Sequence, residues 1–192
     1  MIRRKLSIPT KLYGSATGGG VKLRHPLWAD YEDWVTLRRD NRSHLVPWEP
    51  EWNERHLTRS AYRTKLARFK AIILADEGYP FHVFRDGDNR LIGACNITRI
   101  ERGPAQTAKL GYWIGQAYTR QGFAQASVKT ATQFCFDILG LHRVEAAVKP
   151  DNLPSIKVLE AVGYQREGLA RGFLKINGKW EDHITFAKLS SD

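Results

Sequence analysis

Two short runs hold the residues whose types and spacing could do chemistry. In "YTRQGFAQAS", Tyr118 to Ser127, a basic side chain and a glycine stand just before a helix-like run and just after the strand-like "AKLGYWIG". The first turn of a helix has unpaired N–H groups and a partial positive charge, so such a turn suits an anion, above all a phosphate. Gly122 lets a ligand approach the backbone, Ala124 is small for the same reason, and Arg120 adds a formal charge. A plain helix start with an exposed arginine has the same sequence, so the turn alone leaves both readings open. Thirty residues on, "PDNLPSIKVLEAVGY" spaces Asn152, Ser155 and Leu159 by three and four, near one face of a short helix. Asn152 is either part of a site or the N-cap of that helix.

Acid–base candidates are scattered. Glu101 follows "RLIGACNITRI", the third strand of the order given below, and Glu49 lies in the loop "PWEP". Either could attract or deprotonate an amine, and either is equally suited to an exposed surface. Glu167 and Asp182 read as strand-surface charges, and His183 in "EDH" as a structural hydrogen-bonding residue. No Ser/His/Asp or Cys/His arrangement stands out.

The frame that must position these residues is bounded by composition. The chain has 192 residues, 42% of them hydrophobic and 11% aromatic, enough for one sizeable core. Thirty Lys and Arg against twenty Asp and Glu give a net charge of +10. That balance favours polyanionic or phosphate-bearing partners and leaves RNA, the ribosome, an acidic membrane and a nucleotide cofactor open. Cys95 and Cys135 lack a CxxC pattern and histidine partners at ligand spacing, so they read as core thiols with no metal. No apolar run is long enough to span a bilayer and the N-terminus lacks a signal-peptide centre, so a soluble cytoplasmic protein is expected.

Residues 1–20, basic and then glycine-rich, read as a flexible arm leading into a domain over 21–192. "VKLRHP" reads as a strand. "WADYEDWVTLRRDNRSHL" carries Trp28, Tyr31, Trp34, Val35 and Leu37 at helical spacing, and a second helix is expected over 53–75. Three β-rich runs then form an antiparallel meander. A helix over 122–139, the strand "RVEAAV", the helix "LPSIKVLEAV" and two strands joined by "NG" follow. The expected order is β α α β β β α β α β β.

Together, "LGYWIG", "RQGFA", "RVEAAV" and "DNLPSIKVLEAVGY" resemble the GCN5-related N-acetyltransferase (GNAT) superfamily. The resemblance implies an α/β (α+β) GNAT fold: a mixed central sheet with an antiparallel N-terminal half and a β-α-β-α-β C-terminal half. It implies acetyl-CoA as cosubstrate and no metal. The family turn, Gln/Arg-x-x-Gly-x-Gly/Ala, corresponds to Thr119 through Ala124, with Thr119 departing from the pattern. Arg120, Gln121, Gly122, Phe123 and Ala124 would cradle the pyrophosphate, and the backbone of Tyr112, Trp113 and Ile114 would pair with the cofactor and serve the oxyanion. "DNRSHLVPWEPEW", "RGPAQTAKLGYWIGQAY" and "INGKWEDHITFAKL" narrow the likeness to ribosomal-protein alanine N-acetyltransferases of the RimJ/RimL type, over about 21–189.

That likeness implies direct transfer of acetyl from acetyl-CoA to a protein N-terminal amine, without an acyl-enzyme, with a ribosomal protein as partner. Many relatives place a tyrosine acid seven residues after the asparagine, where this chain has Leu159. Ser155 then becomes the candidate for the departing sulfur and Asn152 for the pantetheine arm, with Glu101 or Glu49 as base. An α-amine with a pKa of about 7.7 to 8.0 is roughly a quarter neutral near pH 7.4, whereas a lysine is ~0.1% neutral, so such an enzyme needs only modest base assistance. Basic residues of the second helix, Arg55, Arg59, Arg63, Lys65, Arg68 and Lys70, could meet coenzyme A phosphates or ribosomal RNA, or form a solvated face. Two other functions fit the same residues: transfer to a small amine such as a polyamine or aminoglycoside, and a non-catalytic coenzyme A- or ribosome-binding module.

Overall fold

The stretch expected to be an arm is a β-hairpin. The computed structural model describes residues 9–192. Within them Lys11–Ala16 forms β1 and Gly19–Arg24 forms β2, paired antiparallel, so the chain begins with one strand more than the sequence reading allowed. Residues 1–8 of the expected arm lie outside the described residues. The glycine run that suggested flexibility closes this hairpin, with Gly18 in the two-residue turn and Gly19 and Gly20 at the start of β2. Gly14 has a packing reason of its own: a Cβ there would sit 2.2 Å from Thr130 Oγ1 on the helix crossing over it.

The remaining elements are α1 (Tyr31–Asp40), α2 (Arg42–Leu45), α3 (Arg59–Leu74), β3 (Gly78–Arg85), β4 (Arg90–Glu101), β5 (Thr107–Ile114), α4 (Phe123–Gln133), β6 (Arg143–Val148), α5 (Leu153–Ala161), β7 (Gln165–Ile176) and β8 (Lys179–Leu189). The second helix starts later than expected. Asn53 first caps a single turn over Glu54–Leu57, and Thr58 then caps α3 by accepting from the Ala61 amide. The helix expected over 122–139 is α4 followed by a wider π turn over Phe134–Ile138.

The eight strands of the described residues form one sheet in the order β1-β2-β3-β4-β5-β6-β8-β7. The strand pairs are antiparallel except β5 with β6, which is parallel. The mixed sheet expected from the resemblance is thus the sheet observed. Alternation along each strand divides the side chains between two faces. On one face Phe81, Val83, Cys95, Ile97 and Leu110 pack with Phe123, Val128 and Phe134 of the α4 segment and Leu159 of α5. On the other, Phe84 and Leu91 pack with Tyr31, Trp34 and Val35 of α1 and Tyr62 of α3. Each such large apolar side chain stabilises the fold by about 1.5–3 kcal/mol when fully buried. Helices therefore cover both faces, and the sheet between them is where the two halves of a site could meet.

Candidate active site

The sheet opens at β5. Thr107–Lys109 pairs with Arg143–Glu145 of β6, and beyond that point the two strands part. The Gly115 amide donates to the Ile92 carbonyl at 2.8 Å, which sets the alternation along β5. Trp113 and Gly111 accordingly turn their backbone groups to β4, while Tyr112 and Ile114 turn theirs to the side that β6 has left. Of the three backbone positions expected to face a cofactor, Tyr112 and Ile114 face the gap, and Trp113 instead sends its indole to the opposite face of the sheet from the Tyr112 ring.

Past the end of β5 the chain makes the turn singled out by its sequence. Arg120 and Gly122 both adopt positive φ, 60° and 80°, and Gly122 occupies the N-cap position of α4 with no side-chain cap. The amides of the first turn of α4 are thus left for another acceptor. Arg120 is exposed and forms no ion pair among the described residues. Gln121 turns its side chain back to the Ala117 carbonyl at 3.0 Å, and its own carbonyl accepts from the Gly18 amide at 2.9 Å. Phe123 is fully buried as the anchor of α4, and Ala124 packs against the core. The tip of the β1–β2 hairpin therefore braces the turn, a contact the sequence did not announce.

On the α5 side of the gap, Asn152 is the N-cap: its Oδ1 accepts from the Ser155 amide at 3.2 Å. Ser155 Oγ lies 2.7 Å from the hydroxyl of Tyr112, which also donates to the Ser155 carbonyl at 3.1 Å. Burial pushes the Tyr112 phenol well above its ordinary range, against a smaller opposing effect of Ser155, so it stays protonated. Leu159 is wholly buried. Where the sequence showed a missing tyrosine on α5, the fold brings a phenol to Ser155 from β5.

The other face of the sheet carries a cavity of about 620 Å³ between α1, α3, β3, β4 and β5. Glu49 lines it with both carboxylate oxygens accepting from Arg38, each at 2.6 Å. The Arg38 guanidinium lies between two indoles, 4.6 Å from the Trp52 ring and 5.3 Å from Trp113. Lys65 and Arg68 line the same space. Burial, with Arg38 nearby, brings the Lys65 ammonium down to about 8. His82, 2% exposed, also lines the cavity, with Nδ1 3.2 Å from Asp30 Oδ2, and Arg24 forms a two-pronged ion pair with the same carboxylate.

The remaining polar residues weighed in the sequence lie outside this cavity. Glu101 is exposed at the far end of β4, outside the cavity lining. Glu167 pairs with Arg143, Asp182 accepts from the Gly172 amide, and His183 is buried against Phe173 with Nδ1 at the Glu181 carbonyl. The basic face of the second helix is divided: Arg59 pairs with Glu32 and Arg63 lies over Trp28, while Lys65 and Arg68 turn to the cavity. Arg38, His82, Asp30 and the Tyr112 phenol line or adjoin this candidate site, and sequence reasoning passed over them. His82 did leave a trace, a polar side chain inside the apolar run "PFHVF". No cluster of metal-ligating side chains occurs among the described residues, and none of their helices is long and apolar enough to cross a membrane.

Residues 21–165 match the family model described as acetyltransferase (GNAT) domain. A probable N-acetyltransferase of Bacillus subtilis, YjcK, is 36% identical over 163 residues, covering 85% of this chain and 90% of that protein. The [ribosomal protein uS5]-alanine N-acetyltransferase of Escherichia coli is 29% identical over 153 residues, 80% of this chain and 79% of the relative. Among solved structures, Mycobacterium smegmatis RimJ in complex with CoA-disulfide superposes with a TM-score of 0.91 at 29% identity, covering 96% of this chain and 89% of that one.

Proposed function

The chain belongs to the GNAT acetyltransferase family, and from that premise we propose that it transfers acetyl from acetyl-CoA to the N-terminal α-amine of a protein, with the N-terminal alanine of a ribosomal protein as acceptor. The enzyme class follows from the family and from relatives named as N-acetyltransferases. The acceptor reading is supported by likeness to a uS5-alanine N-acetyltransferase and to RimJ over most of the chain. The net charge of +10 suits work on a polyanionic ribosome.

One observation carries the mechanism: the parting of β5 from β6 lies between the Ser155–Tyr112 pair on one face and the Trp113-lined cavity on the other. Two reactants entering from opposite faces meet there. The chain's own groups fit acetyl-CoA. The uncapped α4 N-terminus, Arg120 and the close-approach glycine Gly122 suit its pyrophosphate, and the inward-turned amide and carbonyl of Tyr112 and Ile114 suit an amide-bearing arm. Acetyl-CoA would supply the acyl group as an activated thioester. Asn152 holds the start of α5 in place through its cap and keeps its Nδ2 for the arm. Ser155 gives a proton or a hydrogen bond to the departing sulfur, and Tyr112 orients it: the phenol's one hydrogen goes to the Ser155 carbonyl, so its oxygen is the acceptor that holds the serine hydroxyl until the sulfur takes its place.

The test offers the protein acetyl-CoA and two matched peptides, one with a free N-terminal alanine and one N-terminally blocked with an internal lysine. Coenzyme A release and a 42 Da gain (about one acetyl in place of one hydrogen) on the free-alanine peptide alone is the expected result. Transfer to neither, with acetyl-CoA still bound, overturns the acceptor reading.

A further inference from the structure

We propose that His82 is the base that receives the acceptor amine's proton, held by Asp30 so that Nε2 faces the cavity; this deepens the acetyl-transfer reading above and rests on it. His82 stands in register with Ala94 of β4, and Ala94 with Trp113 of β5, so the three form one row across the sheet. All three line the cavity. Between the imidazole and the indole the middle position carries only a methyl group. Two strand spacings make this lane about 10 Å long, room for an amine and one water between Nε2 and the open edge of β5.

The ring's orientation is set from behind. The Asp30 carboxylate, fixed by Arg24 and by the Leu27 amide at 2.8 Å, accepts from Nδ1. No other side-chain hydrogen bond engages the ring among the described residues, so Nε2 carries the free lone pair. Burial lowers the imidazole pKa, outweighing the pull of Asp30, and keeps the ring neutral when an ammonium arrives. Other groups facing this space are poorer bases. Glu49 has both oxygens engaged by Arg38; Arg38 and Arg68 are permanent cations; Lys65, brought down to about 8, is still mostly charged near neutral pH; and His56, on an exposed turn of the same lining, has no carboxylate behind its ring among the described residues.

In the reaction the α-ammonium gives one proton to Nε2, directly or through the water. Its lone pair forms the C–N bond to the thioester carbonyl carbon, and the C–S bond breaks with its electron pair on sulfur. The second proton lost from nitrogen goes to that sulfur by way of Ser155, and the His82 proton passes to water. Net products are the acetylated amine, the free thiol and one proton.

The test compares wild type with His82→Gln on the free-alanine peptide, following kcat/KM from pH 6.5 to 9. Without the base, only amine already neutral in solution reacts. That fraction rises from about 3% to about 90% across this range, roughly 30-fold. The wild-type-to-variant ratio is expected to be at least about 30 at pH 6.5 and to fall about tenfold or more by pH 9. Lys65 titrates within the same window and its charge opposes protonation of His82, so both proteins are also compared in a Lys65→Met background, in which the same fall of the ratio is expected. A ratio that stays constant with pH assigns His82 a structural role and overturns the proposal. Nitrogen-15 spectra of histidine-labelled wild-type protein without substrates give an answer that needs no variant to fold: a neutral ring protonated on Nδ1 is expected, and one protonated on Nε2 overturns the proposal. Wild type inactive on every α-amine would defeat the acceptor reading instead, leaving the tautomer to decide on His82.

Discussion

The hydroxyl of Tyr112 lies 2.7 Å from Ser155 Oγ, joining β5 to α5 beside the point where β5 leaves β6. This pairing means the serine does not act alone. Ser155→Ala is expected to lower kcat by about 10²-fold, because in the proposed mechanism Ser155 is the donor to the departing sulfur. Tyr112→Phe keeps the serine but frees its orientation, and a loss of about tenfold is expected. Since both act through one hydrogen-bonded unit, the double variant is expected to lose far less than the product of the two. A product of the two losses would show that they act separately.

Gly122 adopts a φ of 80°, and a Cβ added to it would meet Thr17 Oγ1 at 2.7 Å. Gly122→Ala therefore faces both a left-handed backbone, costing about 1 kcal/mol, and a contact with the hairpin tip. Calorimetric titration is expected to show acetyl-CoA binding weakened about tenfold. Adding Thr17→Ala opens space without relieving the backbone, so recovery should be partial. Full recovery would mean that the steric contact alone matters at this turn.

Much of this arrangement was legible in the sequence because it follows from local rules. The turn at Arg120–Ala124 announces itself through a glycine before a helix, and Asn152 through its place at the start of α5. What escaped reading depends on distant pairing. The phenol missing at Leu159 comes from Tyr112, 47 positions earlier in chain order (159 − 112), and only the register of β5 reveals it. His82 is brought to the candidate site through Asp30 and Ala94, from a helical turn and a neighbouring strand. Glu49 was found by its loop, but its tie to Arg38 was not, because nothing local brings positions 38 and 49 together. The hairpin was misread since glycine-rich composition marks tight turns as well as flexible chain.

That tie between Arg38 and Glu49 changes what each substitution should do. Glu49→Gln retains the shape of the partner and is expected to lower kcat by no more than about threefold, since the proposal above gives the base role to His82. Arg38→Ala removes the cation held between Trp52 and Trp113 and leaves the carboxylate unpaired in the cavity lining. The KM for the peptide is expected to rise by about tenfold or more, with a smaller change in kcat, as for a group that shapes the acceptor site. A 10²-fold loss of kcat in Glu49→Gln would instead make Glu49 the base and displace His82.

Asp30 links the same site to acid stability. Burial opposes its ionisation, yet hydrogen bonds from Arg24, His82 and the Leu27 amide hold its carboxyl well below the usual carboxylate range. The folded state thus favours the ionised form more than the unfolded chain does. The stabilisation is fully present above the unfolded value of about 3.9 and is lost as pH falls from there toward the lower folded value. Asp30→Asn should cost about 3 kcal/mol at pH 7, because it leaves the Arg24 guanidinium without its carboxylate in a nearly buried position. It should also remove one group's share of the acid slope, at most about 1.4 kcal/mol per pH unit. Urea unfolding at pH 5, 4, 3 and 2.5 separates the two effects, since the other carboxylates contribute equally to both proteins. The gap between wild type and variant is expected to be constant down to about pH 5 and to narrow below pH 4. A gap that does not narrow would mean that Asp30 stabilises the fold through its shape and hydrogen bonds, independent of its charge.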